Sequence, residues 1–293
     1  MKFKVSPEEI AKYHRSGELS LFIGAGISVG CGLPHWDSLI ETMVTKIWRC
    51  KKPTPSKEVI SYITSQTPTD IARLAKIETG IDFNRVVADS LYSDRNIEIS
   101  EAIIAIVNSG IRHICSLNYD DLLEEGFGLE MKDYQSVVKG CKFNIHNPRP
   151  IIYHPHGYLP RWGAHAEYRS YDVVLSDDDY SSLYSDPLSW ANTIQTSLLV
   201  TKSVLFVGLS MHDPNLKRLL TLTKSIGCQH KHYAILPSPR LTMGALRSKS
   251  YDHIQETITI DMLERNVKVH WIESYEEIPH YINKISKISS KSQ

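Results

Sequence analysis

Apolar residues fall along this chain in two patterns. Short strand-like runs recur at 19–23, 112–117, 150–154, 203–208, 232–236 and 267–272. Helical patterns lie between most of them. Strands alternating with helices predict an α/β fold, a Rossmann-like, doubly wound parallel sheet. Pro187 to Thr201 reads as a helix with proline near its first turn, followed by the strand Ser203–Gly208. Asp213 and Pro214 then read as the N-cap and first residue of another helix.

The stretch from about 36 to 110 is different. It offers helical segments at Ser38–Arg49, Ser56–Ser65, Pro68–Thr79, Phe83–Tyr92 and Ser100–Ser109, and no convincing strand. It is expected to be a helical subdomain inserted between the first two strands of one domain spanning 1–293, with Lys51–Pro55 a surface turn inside it. The polar, Ser/Lys-rich tail from Lys284 to Gln293 is expected to fray.

A chain of 293 residues can bury an ample core. Its 33 basic and 33 acidic residues balance, which gives no electrostatic argument for binding nucleic acid or an anionic membrane. No apolar stretch approaches the roughly 20 residues of a bilayer-spanning helix, and the polar segment Met1–Arg15 does not read as a secretory signal. The five scattered cysteines (31, 50, 115, 141, 228) include no C-x-x-C pair. They suit reduced thiols of a cytoplasmic protein and no zinc ligand set.

Candidate chemistry gathers where apolar strands end. Leu19–Ile23 runs into Gly24-Ala-Gly-Ile-Ser28, where absent side chains let a pyrophosphate approach the backbone at a helix start. Gly24, Ala25 and Gly26 are expected to offer main-chain N–H groups and Ser28 a hydroxyl. A plain glycine turn between strand and helix is the competing reading. Ile114–Asp120 places Asn118 and Asp120 between a strand and a helix, as ligand contacts or as helix caps. Ile151–Gly157 places His156 before a glycine at a strand end. His154, two residues earlier, reads as a core or supporting residue, and Trp36 as packing beneath the glycine loop. Val204–Ser210 places Gly208 and Ser210 where a second phosphate or a ribose would sit, or at an ordinary strand-to-turn junction. Asp177-Asp-Asp179 reads as solvated charge in a helix's first turn rather than a metal site.

Together these segments resemble the NAD-binding domain of the sirtuin family. Gly24-Ala-Gly-Ile-Ser28 with Gly32-Leu-Pro34 is similar to that family's first nucleotide loop, Asn118-Tyr-Asp120 to its asparagine-x-aspartate motif, His156-Gly157 to its catalytic histidine-glycine and Gly208-Leu-Ser210 to its late glycine-x-serine turn. The deacylases' four-cysteine zinc ribbon is missing, and His35-Trp36-Asp37 replaces their aspartate-phenylalanine-arginine segment. The resemblance is therefore closer to divergent bacterial sirtuin-like domains, with Leu175-Ser-Asp-Asp-Asp-Tyr180 and the Gly208–Asn215 segment in the same style.

That resemblance implies an NAD glycohydrolase, releasing nicotinamide and ADP-ribose as an effector of antiphage defence. Asn118 and His156 would be catalytic, and NAD would be a substrate with no metal required. Asp120 would hold the carboxamide or stabilise the cationic ribose. It also implies control by homo-oligomer assembly or by a partner such as a HerA-like ATPase. An NAD- or ADP-ribose-binding sensor without turnover, and an NAD-dependent deacylase or ADP-ribosyltransferase, are the alternatives.

Overall fold

In the computed structural model, residues 5–92, 96–161, 172–244 and 247–290 are described. The apolar runs form strands β1 (Leu19–Ile23), β2 (His113–Ser116), β4 (Ile151–Tyr153), β5 (Ser203–Val207), β6 (His232–Pro237) and β7 (Val267–Ile272). A further short strand, β3 (Gln135–Val137), lies at one edge. All neighbours pair in parallel, in the order β3-β4-β2-β1-β5-β6-β7. From β1 the chain builds one side, with β2 next to it, β3 at the edge and β4 between them, then crosses back to β5 on the other. That reversal places a crevice at the C-terminal ends of the central strands.

Helices cover both faces, which is why β1, β4 and β5 are buried along their whole length, while β7 at the edge alternates. Leu21, Ile23, Ile114, Ile152 and Ile235 face one core, and Phe22, Cys115, Ile151, Phe206 and Ala234 face the other. The first core is closed by α1 (Pro7–Arg15), the helices between β1 and β2, and the last helix, α14 (Glu277–Ser290). The second is closed by α10 (Trp190–Thr201), α11 (Pro214–Ser225) and α13 (Ser248–Leu263). Phe22 and Phe206 meet edge to face at 5.4 Å, and burial of each such ring contributes about 1.5–3 kcal/mol.

Between β1 and β2 lie α2 (Ala25–Val29), α3 (Trp36–Val44, ending in a wide turn Thr45–Arg49), α4 (Lys57–Thr64), α5 (Pro68–Thr79), α6 (Phe83–Tyr92) and α7 (Glu101–Asn108). The stops and starts follow from local chemistry. Ser56, Thr67 and Ser100 each cap a helix through the side-chain oxygen. Asp213 caps α11 with Pro214 behind it, as its sequence suggested, while Ser189 delays α10 until Trp190. The remaining helices are α8 (Leu122–Leu129), α9 (Asp177–Ser185) and the short α12 (Pro239–Thr242).

Two expectations give way. β3 was not foreseen, because its three residues include two polar ones and only pairing with β4 makes them a strand. The tail does not fray over 284–290: α14 continues to Ser290, burying Ile278, Tyr281, Ile282, Ile285 and Ser289. Its polar residues occupy one face of an amphipathic helix, while Tyr281 and Ser289 donate to the carbonyls of Val5 and Ala11.

Candidate active site

The strand order makes neighbours of the four segments that carried candidate chemistry, since β4, β2, β1 and β5 are adjacent. Ile23 pairs with both Ser116 and Val207, so the loops leaving these strands start level.

The loops after β1 and β5 interlock through their backbones. Gly26 N donates to Gly208 O at 2.9 Å and Gly24 N to Val207 O at 3.1 Å. Gly208 has φ +68°, and a Cβ there would stand 2.7 Å from Ile27 N and 2.9 Å from Gly24 O. Glycine is needed for both the backbone angle and the approach. The N–H groups of Gly24 and Gly26 are therefore committed to joining the loops. Among the described residues the Ala25 N–H takes no such bond, and it is the member of the trio whose donor is not used to join the loops.

Ser28, Asn118 and Asp120 form one buried hydrogen-bonded row. Asn118 Nδ2 donates to Ser28 Oγ at 2.9 Å, and Ser28 in turn hydrogen-bonds Asp120. With its amide nitrogen fixed this way, Asn118 keeps Oδ1 for a ligand hydroxyl or a water. Burial pushes the Asp120 carboxyl up to about 6, against the hydrogen bonds from Ser28 and the Leu122 N–H. The capping alternative is met only in part: Asp120 steadies the first turn of α8 through Leu122, but the cap position belongs to Asp121. Asp121, also pushed up to about 6 by burial, accepts from Tyr92 Oη and the Arg161 N–H.

His156 follows β4 and is 4 % exposed. Its main chain is pinned by Val174 N donating to its carbonyl at 2.9 Å, and Gly157 behind it turns with φ +105°. The imidazole Nε2 is buried without a hydrogen-bond partner among the described residues. Burial pulls its pKa below the usual histidine value, with the Asp213 carboxylate pulling the other way. A neutral imidazole with a free nitrogen is the form that can take a proton. His154 is engaged elsewhere through one ring nitrogen, its Nε2 lying 2.7 Å from Glu124 Oε1 in a buried pair, while its Nδ1 is buried without a partner among the described residues. Trp36 packs against the core. Ser210 is exposed and spends its hydroxyl on the His212 N–H, so it stands at the strand end without joining the buried row.

Asp177, Asp178 and Asp179 begin α9. Asp178 pairs with Arg73 at 2.9 Å and Asp179 with Lys76 at 2.7 Å, so these charges tie α9 to α5 rather than standing free in solvent. Reading the sequence alone missed the residues that wall the site from a distance. Tyr119, between Asn118 and Asp120, turns the other way and donates to Val174 O at 2.6 Å. Tyr180 approaches His156 edge-on. The available signal was Tyr180's place in the Leu175–Tyr180 motif and Asp213's cap position, and neither reveals proximity to His156.

An open parallel sheet with interlocked glycine loops and buried Asn, Asp and His at its C-terminal edge defines a Rossmann-like α/β domain. The family model of the SIR2-like domain matches residues 112–261, half of the chain, and the chain belongs to that family. A solved structure from work on the mechanism and regulation of Sir2 enzymes shares the fold, with a TM-score of 0.50 and 14 % identity over 98 % of this chain and 97 % of that one. Among curated relatives, the NAD(+) hydrolase ThsA of Enterococcus faecium is 26 % identical over 80 % of this chain and 46 % of its own length. ThsA of Bacillus cereus (strain MSX-D12) is 25 % identical over 91 % and 53 %. Defense-associated sirtuin 2 of Bacillus subtilis is 23 % identical over 96 % and 29 %. The chain thus spans about half or less of the length of these relatives. Among the described residues no helix is long and apolar enough to cross a membrane, and no cluster of three or more His, Cys, Asp or Glu could hold a metal ion.

Proposed function

We propose that this chain hydrolyses NAD to nicotinamide and ADP-ribose. The observation that carries the reading is the pairing, on adjacent strand ends, of the Ser28–Asn118–Asp120 row with a buried His156 whose Nε2 has no partner. The relatives named NAD(+) hydrolase support it. In this reading the β1 and β5 loops hold the pyrophosphate through the Ala25 N–H, with Gly24, Gly26 and Gly208 keeping the backbone close, and Ser210 lies at the rim toward a ribose.

Cleavage of the bond between ribose C1′ and nicotinamide sends the bonding pair to the pyridinium nitrogen, so nicotinamide leaves neutral and positive charge develops on the ribose. Asp120, in its carboxylate form, stabilises that charge from a low-dielectric position. Asn118 Oδ1 orients the ribose hydroxyl or the attacking water. His156 Nε2 takes the proton of that water as its oxygen bonds to C1′, completing ADP-ribose. Nothing in this sequence of events requires a metal.

The defence setting, action in the cytoplasm, and control by homo-oligomer assembly or by a partner of the HerA-like ATPase kind belong to the same reading, because uncontrolled NAD hydrolysis would deplete the host cell. The test is chromatography of NAD incubated with the purified chain. Nicotinamide and ADP-ribose in equal amounts support hydrolysis; binding without either product supports a sensor; nicotinamide release that depends on an acylated peptide supports a deacylase.

A further inference from the structure

Tyr180, on α9, and Asp213, the cap of α11, take no part in the mechanism above, yet they meet at its histidine. The Tyr180 and His156 rings stand edge to face, with centroids 6.2 Å apart and planes at 81°. The Tyr180 hydroxyl donates to Asp213 Oδ2 at 3.0 Å, while Asp213 Oδ1 accepts from Leu216 N at 2.6 Å. The carboxylate is held at both ends, and among the described residues no Lys or Arg pairs with it. A carboxylate with no cation partner among the described residues, joined through Tyr180 to a buried imidazole whose Nε2 has no partner among them, can support a positive charge on that ring.

We propose that Tyr180 and Asp213 are a positioning pair for His156: Asp213 supplies the charge that sustains the imidazole when it takes a proton, and Tyr180 locks Asp213 and the ring in register. The proposal rests on reading His156 as the base. The other titratable groups of these loops have partners of their own. Tyr119 is bonded to the Val174 carbonyl, Asp179 to Lys76, and Asp120 to Ser28 and the Leu122 N–H. Asp213 is the charge that raises His156 against the effect of its burial.

Two conservative variants separate this role from a simple latch between α9 and α11. Asp213→Asn keeps the helix cap and a hydrogen bond to the phenol oxygen but removes the charge. Tyr180→Phe keeps the ring and removes the donor, leaving the Asp213 charge less neutralised. The measurement is the titration of His156 by NMR of imidazole-labelled protein, beside the pH profile of NAD cleavage. The expected result is opposite movement: the His156 titration falls in Asp213→Asn and rises in Tyr180→Phe. In each, kcat falls about tenfold with KM within about twofold of wild type. Shifts in the same direction, or none, overturn the proposal even if activity drops. Should wild type show no NAD cleavage, the hydrolase reading falls, and the His156 titrations still decide the pair. Should Asp213→Asn fail to fold, the sign of the Tyr180→Phe shift decides it.

Discussion

The two edges of the sheet treat a carboxylate held away from solvent, half-buried at one edge and buried at the other, in opposite ways. At the N-terminal edge, Glu9 lies between the Tyr233 hydroxyl at 3.0 Å and Lys268 Nζ at 2.6 Å. Burial alone pushes Glu9 up, but these hydrogen bonds and the Lys268 charge outweigh it and hold the group below the usual carboxylate range. At the C-terminal edge, Asp120 has hydrogen bonds but no cation partner among the described residues, and its carboxyl rises to about 6. Asp121 beside it does the same. One edge uses charge for stability; the other tolerates uncompensated charge, which costs stability and is useful only if a cationic species visits it. The difference favours the C-terminal edge for the proposed site on grounds separate from any motif.

The largest effect is expected at Asn118. Asn118→Ala removes the group that orients ribose or water and should lower NAD turnover at least 100-fold, measured by nicotinamide release. Asp120→Asn comes next and is expected to act in opposite directions on activity and stability. Turnover should fall at least tenfold, while the fold gains about 2 kcal/mol at neutral pH in denaturant unfolding, because a carboxylate lifted to about 6 disfavours the folded state when ionised. The sign follows from the raised pKa: this group's contribution to stability is present at low pH and is lost as pH rises through about 6. Turnover in wild type should correspondingly fall as pH drops below about 6, where Asp120 becomes neutral.

Gly208→Ala is expected to be intermediate. A Cβ 2.7 Å from Ile27 N at φ +68° must push the β1 and β5 loops apart, costing about 1–3 kcal/mol of stability and weakening NAD binding, read by thermal unfolding with and without NAD. The smallest effect belongs to the opposite edge. Lys268 and Glu9 are 33 % and 27 % exposed in their side chains, so Lys268→Met should cost no more than about 1 kcal/mol and leave NAD turnover unchanged. A loss of turnover in Lys268→Met would remove the contrast between the edges.

Six strands could be read from the chain because burial on both faces leaves at most a small serine among the apolar residues of runs such as Leu19–Ile23 and Ser203–Val207. Helix ends were readable where a cap residue stands in sequence, as at Ser56, Ser100 and Asp213. Gln135–Val137 was not, because its strand character comes from a neighbour's free edge. Strand order is likewise not written locally. Each of Ser28, Asn118 and His156 could be nominated from its strand end, but the Asn118–Ser28 bond joins residues 90 apart in the chain. The Tyr180–Asp213 contact, spanning 33 residues, needed the packing of α9 against α11. The commitment of the Gly24 and Gly26 N–H groups to the β5 loop was hidden for the same reason.

The most direct test of the central claim compares His156→Ala with wild type in two assays: kcat for nicotinamide release and Kd for NAD. Loss of a general base should lower kcat by about 10² to 10⁴, while Kd stays within a few-fold, because no phosphate contact depends on the imidazole. Wild-type kcat in the folded variant would contradict the assignment of His156, and with it the reading of this edge as a hydrolytic site.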